Sequence, residues 1–140
     1  MVQENWKKDS YVCIIGCGRL GANLGNMLSV QGKDVLIMDK DKNSFRRLSS
    51  HFGGLVIEGD GTDLDKLKEV KIQNASSVII VTNDDNINIM IAQIARDLFG
   101  VKQVIARLYD PEREQVYHQL GINTICPVIL SVKEIVGLLE

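Results

Sequence analysis

Along the chain, short apolar runs alternate with stretches in which apolar residues recur every three or four positions. The runs Tyr11-Val12-Cys13-Ile14-Ile15, Val35-Leu36-Ile37-Met38, Leu55-Val56-Ile57-Glu58, Val78-Ile79-Ile80-Val81 and Gln103-Val104-Ile105-Ala106-Arg107 predict five buried strands. Thr124-Ile125-Cys126 predicts a sixth, shorter one. The spacing between them predicts helices. One runs from Leu20 to Leu28. Another covers residues 42–52, with Phe45, Leu48 and Phe52 on one face, and stops at Gly53-Gly54. A short one is capped by Thr62 or Asp63. A fourth spans residues 86–99, with Ile87, Met90, Ile91, Ile94 and Leu98 as its apolar stripe. The next opens on Asp110-Pro111, an N-cap followed by a proline at the first helical position, and ends before Gly121.

Strands separated by helices require right-handed crossovers, and hence a parallel sheet covered on both faces. Six such strands predict an α/β fold: a Rossmann-type, doubly wound, six-stranded parallel sheet in the order 3-2-1-4-5-6. A ligand then lies across the carboxyl ends of the strands, where the connecting loops gather.

The last segment departs from this rhythm. Residues 127–140 carry Val128, Ile129, Leu130, Val132, Ile135, Val136, Leu138 and Leu139, apolar on more than one side. A helix is expected there, starting at Pro127 or at Ser131, whose spacing to Glu134 is that of a capping box. One face of such a helix can pack on its own sheet with the rest exposed, but the contiguous apolar patch that leaves favours a partner subunit as cover.

The loop after the first strand carries the chemistry. Gly16-Cys17-Gly18-Arg19-Leu20-Gly21 fits G-x-G-x-x-G between a strand and a helix. Gly16 is expected to make the tight turn, Gly18 to leave room for phosphates, and Gly21 to let the helix pack on the strand. The helix N-terminus offers N–H groups and partial positive charge to an anion. Asp39, at the end of the second strand, is placed to accept bonds from ribose hydroxyls and disfavours a 2′-phosphate. The loops 59–62, 82–85 and 107–110 fall at the same end of the sheet. Asp60 there is a candidate acceptor for an adenine amino group or a turn aspartate. Thr82 and Asn83 are candidate ribose or phosphate contacts. Arg19 and Arg107 are candidate phosphate contacts or surface cations. Asp84 and Asp85, at a helix start, read as caps rather than metal ligands. Cys17, beside a helix start, reads as a small space-filling residue, although that position can lower a thiol pKa. His51 and His118 have no partner at catalytic spacing.

Composition narrows the function classes. The 140 residues are 45% hydrophobic and 24% charged, which suits one soluble domain with a core. A net charge of −2 gives no basic field for nucleic acid. No apolar run is long enough to span a bilayer. Three cysteines without zinc-type spacing suit a reducing cytoplasm. Residues 1–10 are polar, lack the apolar core of a signal peptide, and are expected to be a flexible segment.

Taken together, these residues carry a family resemblance. Ile14 to Gly21, Asp39, the run Gly59-Asp60-Gly61-Thr62, the run Thr82-Asn83-Asp84-Asp85-Asn86, Arg107, and the passage from Leu120-Gly121-Ile122-Asn123 to Pro127 appear in order and at matching spacing. The chain resembles, from about Tyr11 onward, the N-terminal nucleotide-binding domain of the Trk/Ktr-type bacterial potassium-uptake regulators, the RCK or KTN domains. The resemblance implies a non-catalytic regulatory unit over residues 11–126 that binds NAD(H) or ATP/ADP. It further implies a crossover helix at residues 127–140 that pairs subunits into dimers or rings, and control of a membrane potassium pore from the cytoplasmic face. Lys40 joins the site residues on this ground, and no metal is implied. Family members commonly carry a second, C-terminal ligand-binding lobe, which would here be a separate chain or lie beyond this one.

The competing reading is a small NAD-dependent oxidoreductase or dehydrogenase fragment. It shares the glycine loop but needs a substrate site and an acid–base group. The Tyr-x-x-x-Lys pair of short-chain reductases is absent: Tyr11, Tyr109 and Tyr117 are followed four residues on by Ile15, Arg113 and Gly121.

Overall fold

The computed structural model describes residues 10–140; the first nine residues, most of the expected N-terminal segment, lie outside those described. Six strands form one parallel sheet: β1 (Tyr11–Ile15), β2 (Val35–Asp39), β3 (Leu55–Glu58), β4 (Ala75–Ile80), β5 (Gln103–Arg107) and β6 (Asn123–Ile125). Their spatial order is β3-β2-β1-β4-β5-β6, with every neighbouring pair parallel. The reversal of winding lies between β1 and β4, where Ile14 is flanked by Ile37 and Ile79.

The apolar runs are continuous rather than alternating because both faces of the sheet are covered. Cys13, Ile15, Leu36, Met38, Val78, Ile80, Val104 and Ala106 point to one face. They meet Leu67 of α2 (Leu64–Glu69) and Ile91 and Ala92 of α3 (Asp85–Gln93). Ile14, Val35, Ile37 and Val81 point to the other. That face takes Ala22, Leu24 and Leu28 of α1 (Arg19–Val30), and then Phe45, Leu48 and Phe52. Remaining helices are α4 (Glu114–Gln119) and α5 (Pro127–Leu139).

Three expected helices take other forms. Residues 42–52 make a single 3-10 segment, Lys42–Arg47, because local side chains compete for the backbone. The Asp41 carboxylate accepts from Asn43 N at 2.9 Å, and Ser44 Oγ donates to Asp41 O at 2.7 Å. Two side chains of α1 then hold the following chain in place: Ser49 N donates to Asn26 Oδ1 at 2.9 Å and Gly53 N to Ser29 Oγ at 2.8 Å. The three apolar residues still reach the core, but from a loop.

The helix at residues 86–99 changes to a π segment at Ile94–Leu98. The wider turn rotates the register after Ile94, and Leu98 is 66% exposed; Met90, ahead of the π segment, is 43% exposed. The segment after Asp110 begins as a 3-10 turn, Pro111–Arg113, before α4. Asp110 caps it, accepting from Glu112 N at 3.0 Å. Asp63 caps α2 in the same manner, through Asp65 N and Lys66 N.

α5 starts at Pro127, not at Ser131. None of its residues is buried, and Val132, Ile135, Leu138 and Leu139 are 54–81% exposed.

Candidate functional site

A cleft of about 500 Å³ opens across the carboxyl ends of β1 to β5. This is where a doubly wound sheet places ligands, at the switch between β1 and β4. Its floor is apolar, from Ile15, Met38, Val81, Ile87 and Ile91. Its rim carries the glycine loop, Asp39, Lys40, Asp41, Arg47, Asp60, Asn83, Asp84 and Arg107.

Each glycine of the loop answers to a different constraint. Gly16 sits at φ +110°, and a Cβ there would lie 2.9 Å from Val81 O and Thr82 N. Gly21 packs so closely under the turn that a Cβ would collide with the Gly16 carbonyl oxygen. Gly18 has ordinary backbone angles, φ −80° and ψ −161°, and a Cβ on it would meet nothing within 4 Å. Sterics within the chain therefore explain Gly16 and Gly21 but not Gly18, whose missing side chain widens the mouth of the cleft. Gly18 is also the N-cap of α1; it supplies no side-chain cap, and the first turn has no acidic residue. The positive end of a 12-residue helix thus faces the cleft with no side-chain cap and no acidic residue of its own first turn.

Asp39 is half-buried and held by the loops it joins. Its Oδ2 accepts from Cys17 N at 2.7 Å and its Oδ1 from Asp41 N at 2.8 Å. Each oxygen retains acceptor capacity toward the cleft. Cys17 itself is fully buried, with Sγ 3.5 Å from Ser44 O. Burial, followed by the Asp39 carboxylate, pushes its thiol pKa up, so the helix start does not activate it. Arg47 Nη1 reaches within 3.5 Å of Cys17 O. Asp60 closes a turn: its Oδ1 accepts from Thr62 N at 2.9 Å and Thr62 Oγ1 at 2.8 Å. Those two bonds, backbone first, hold its carboxyl below the ordinary range, with help from Lys40.

On the other side of the switch, Asn88 organises the site. It is fully buried in α3. Its Nδ2 donates to Thr82 O and Arg107 O, both at 3.0 Å, and its Oδ1 accepts from Thr82 N at 3.1 Å and from Thr82 Oγ1. Asp84 caps α3 through Ile87 N at 3.1 Å. Asp85 accepts from Tyr109 N at 2.8 Å and Asp110 N at 3.1 Å, fixing the loop after β5. Arg107 is half-buried; its Nη2 donates to Thr82 O at 2.9 Å and to the Tyr109 hydroxyl. Its guanidinium lies 4.6 Å from the Tyr109 ring centroid. Arg107 Nε is buried with no partner, the one such side-chain atom among the described residues. An orphaned buried donor costs about 1–3 kcal/mol, and more on a charged group.

Of the residues singled out from sequence, Gly16, Cys17, Gly18, Arg19, Asp39, Lys40, Gly59, Asp60, Gly61, Thr82, Asn83, Asp84 and Arg107 line the cleft. Leu20, Gly21, Thr62 and Asn86 do not. Leu20 packs on the core below α1, Thr62 ties off the Asp60 turn, and Asn86 accepts from Arg113 Nη1 at 2.9 Å. Sequence reasoning passed over Asn88, Arg47 and Tyr109. Tyr109 follows Arg107 by two positions, which was a usable signal. Asn88 was visible only as a polar residue among the buried positions of α3. Among the described residues, no group of three His, Cys, Asp or Glu is arranged to hold a metal, and no helix is long and apolar enough to cross a membrane.

The donor set fits a nucleotide: an uncapped helix start for phosphate, an acceptor carboxylate for ribose, and an apolar floor. Known proteins give the same fold. The Escherichia coli inner membrane protein ybaL has a TrkA-N domain that superposes with a TM-score of 0.83 at 17% identity, covering 93% of this chain and 96% of that one. The AMP-bound Kef C-terminal domain of Shewanella denitrificans superposes at 0.74 with 24% identity, covering 90% and 75%. The NAD-bound GsuK channel superposes at 0.70 with 20% identity, covering 84% and 21%. In sequence, the chain is 47% identical over 118 residues to the Trk system potassium uptake protein TrkA of Streptomyces coelicolor, covering 84% of this chain and 53% of that protein. It is 32% identical over 126 residues to the TrkA homolog of Pyrococcus horikoshii, covering 89% and 55%. The chain spans about half the length of these relatives. The TrkA-N domain family matches residues 12–127, from the first strand to the start of α5, and the chain belongs to that family.

Proposed function

We propose that this chain is the nucleotide-binding regulatory unit of a Trk/Ktr-type potassium uptake system, taking NAD(H) or ATP/ADP in the cleft and controlling a membrane potassium pore. The observation that carries the reading is Gly18. It lacks a side chain where nothing in the chain demands it, at the open start of a helix with no cap of its own. Phosphate is the group such a feature accommodates. Potassium uptake is the role named for the Streptomyces and Pyrococcus relatives, and nucleotides occupy the Kef and GsuK structures.

In this reading Gly16 to Gly21, with Arg19 and Arg107, hold the phosphates. Asp39 and Lys40 face the adenosine ribose, and residues 59–62 border the adenine. Thr82, Asn83, Asp84 and Asn86 belong to the far side of the site. Residues 11–126 form the nucleotide-binding unit. α5 is the crossover helix that pairs two copies, directly or within a ring, since seven of its apolar residues, from Val128 to Leu139, are 48–81% exposed. The pore subunit, and a C-terminal regulatory lobe where one exists, are the remaining partners; the unit works at the cytoplasmic face of the membrane. A nucleotide supplies no chemistry here beyond its own shape and charge. Asp39 is held by two main-chain N–H groups and the Cys17 thiol lies against a carbonyl, which favours binding roles over acid–base roles for these two residues.

The test is functional. Potassium flux through a Trk-type pore subunit in vesicles is measured with the chain and NAD+, NADH, ADP or ATP. A nucleotide-dependent change in flux, or co-purification with the pore subunit, supports the proposal. Steady NADH turnover with a carbonyl substrate and no effect on flux contradicts it.

A further inference from the structure

We propose that Tyr109 is a positioning residue that competes with the ligand for Arg107, forming a side-chain latch that sets how tightly the cleft grips a phosphoryl group. The inference rests on the nucleotide reading above and adds a residue and a mechanism to it.

Three observations converge on this pair. First, Arg107 spends one nitrogen, Nη2, on two acceptors, Thr82 O and the Tyr109 hydroxyl. Second, this arrangement leaves Nε buried and unpartnered. A planar guanidinium with five donors matches two phosphate oxygens at once; held here, its fork is not used as a fork. Third, the two residues differ in freedom. The main chain of Tyr109 is pinned, because Asp85 accepts from both Tyr109 N and Asp110 N. The residue is 43% exposed and lines the cleft. The ring can therefore swing aside without moving the loop.

An oxyanion in the cleft offers Arg107 the bidentate partner that Tyr109 cannot. Turning toward it gives Nε an acceptor and breaks the bond to the tyrosine hydroxyl. The Tyr109 contact is thus a cost that binding must overcome, and it falls only on ligands that carry a phosphoryl group. A residue that pre-organised Arg107 for phosphate would have the opposite effect, so the sign of one substitution separates the two.

Calorimetry with the full chain decides it, using ADP, NAD+ and adenosine as probes. Tyr109→Phe keeps the ring under the guanidinium and removes only the hydroxyl. It is expected to bind ADP about threefold to tenfold more tightly than the parent chain, the range for one released hydrogen bond, with adenosine unchanged. In an Arg107→Gln background the same substitution is expected to change nothing. The latch is overturned if Tyr109→Phe binds ADP no tighter than the parent, if adenosine gains as much as ADP, or if the gain survives without Arg107. A parent chain that binds none of the three probes overturns the nucleotide reading itself, and the latch with it.

Discussion

The carboxamide of Asn88 encloses the main chain of Thr82, accepting from its N–H at 3.1 Å and donating to its carbonyl at 3.0 Å. The same Nδ2 reaches Arg107 O, so one buried side chain ties the ends of β4 and β5 together beneath the cleft. Its removal leaves the Thr82 N–H and the Arg107 carbonyl without their partner, while Thr82 O keeps the bond from Arg107 Nη2. Asn88→Ala is expected to destabilise the fold by about 3 kcal/mol, measured by urea unfolding, and to weaken nucleotide binding. Asn88→Asp is expected to be no better, since a carboxylate cannot donate to either carbonyl.

Gly18 and Gly21 separate stability from binding. Gly21→Ala drives a methyl group into the Gly16 carbonyl and is expected to cost at least about 2 kcal/mol in unfolding experiments. Gly18→Ala meets nothing within 4 Å, so its stability is expected to stay within about 0.5 kcal/mol of the parent. Its affinity for ADP is expected to fall on the order of tenfold, or about 1.4 kcal/mol. Equal losses of stability at both positions would contradict this assignment.

Much of this layout was legible in the chain, because both of its main signals are local. An apolar run of five residues has to be a two-faced strand, and a glycine turn between strand and helix has one geometry. Parallel pairing followed from the absence of any hairpin-length connection, and strand order from the doubly wound pattern that the glycine turn marks. What escaped were outcomes decided by long-range contacts. Phe45, Leu48 and Phe52 have helical spacing, yet Asn26 and Ser29 of α1 hold the chain near them as a loop. The stripe of the fourth helix was read at a constant 3.6 residues per turn, and the π segment broke that period at Ile94. Asn88 escaped because the partners of a polar residue inside a helix lie on other elements, here 6 and 19 residues away.

The cysteines give a pH-dependent prediction. Burial pushes the Cys13 thiol up to about 12 from its ordinary 9.0. Well below pH 9 the thiol is neutral in both folded and unfolded chains, and stability is unaffected. Between about pH 9 and 12 only the unfolded chain ionises, so stability falls as pH rises. Unfolding midpoints recorded from pH 7 to 11 are expected to be flat and then to decline. Cys13→Ser is expected to shift the midpoint at every pH and to flatten the alkaline decline. Thiol reagents at pH 8 are expected to label the native chain slowly, since Cys13, Cys17 and Cys126 are all buried. ADP is expected to slow labelling of Cys17 further, because that residue lines the cleft.

No residue of α5 is buried within its own chain, so its apolar surface can be altered without loss of the fold. Ile135→Glu is expected to leave the thermal midpoint of the sheet domain within a few degrees, about what a surface change produces. In sedimentation velocity the parent chain is expected to run as a dimer or larger ring, and the variant as a monomer. A monomeric parent chain would remove α5 from the proposed subunit contact.

The central claim is that the cleft at the ends of β1 to β5 holds an adenine nucleotide by its phosphates. Isothermal titration of the chain, freed of endogenous ligand, with NAD+, NADH, NADP+, ADP and ATP tests it most directly. The account predicts one site per chain for at least one of NAD+, NADH, ADP and ATP. It also predicts weaker binding of NADP+ than of NAD+, because Asp39 opposes a 2′-phosphate, and binding on the order of tenfold weaker in Gly18→Ala. Absence of binding to all five, or binding that Gly18→Ala leaves unchanged, would contradict it.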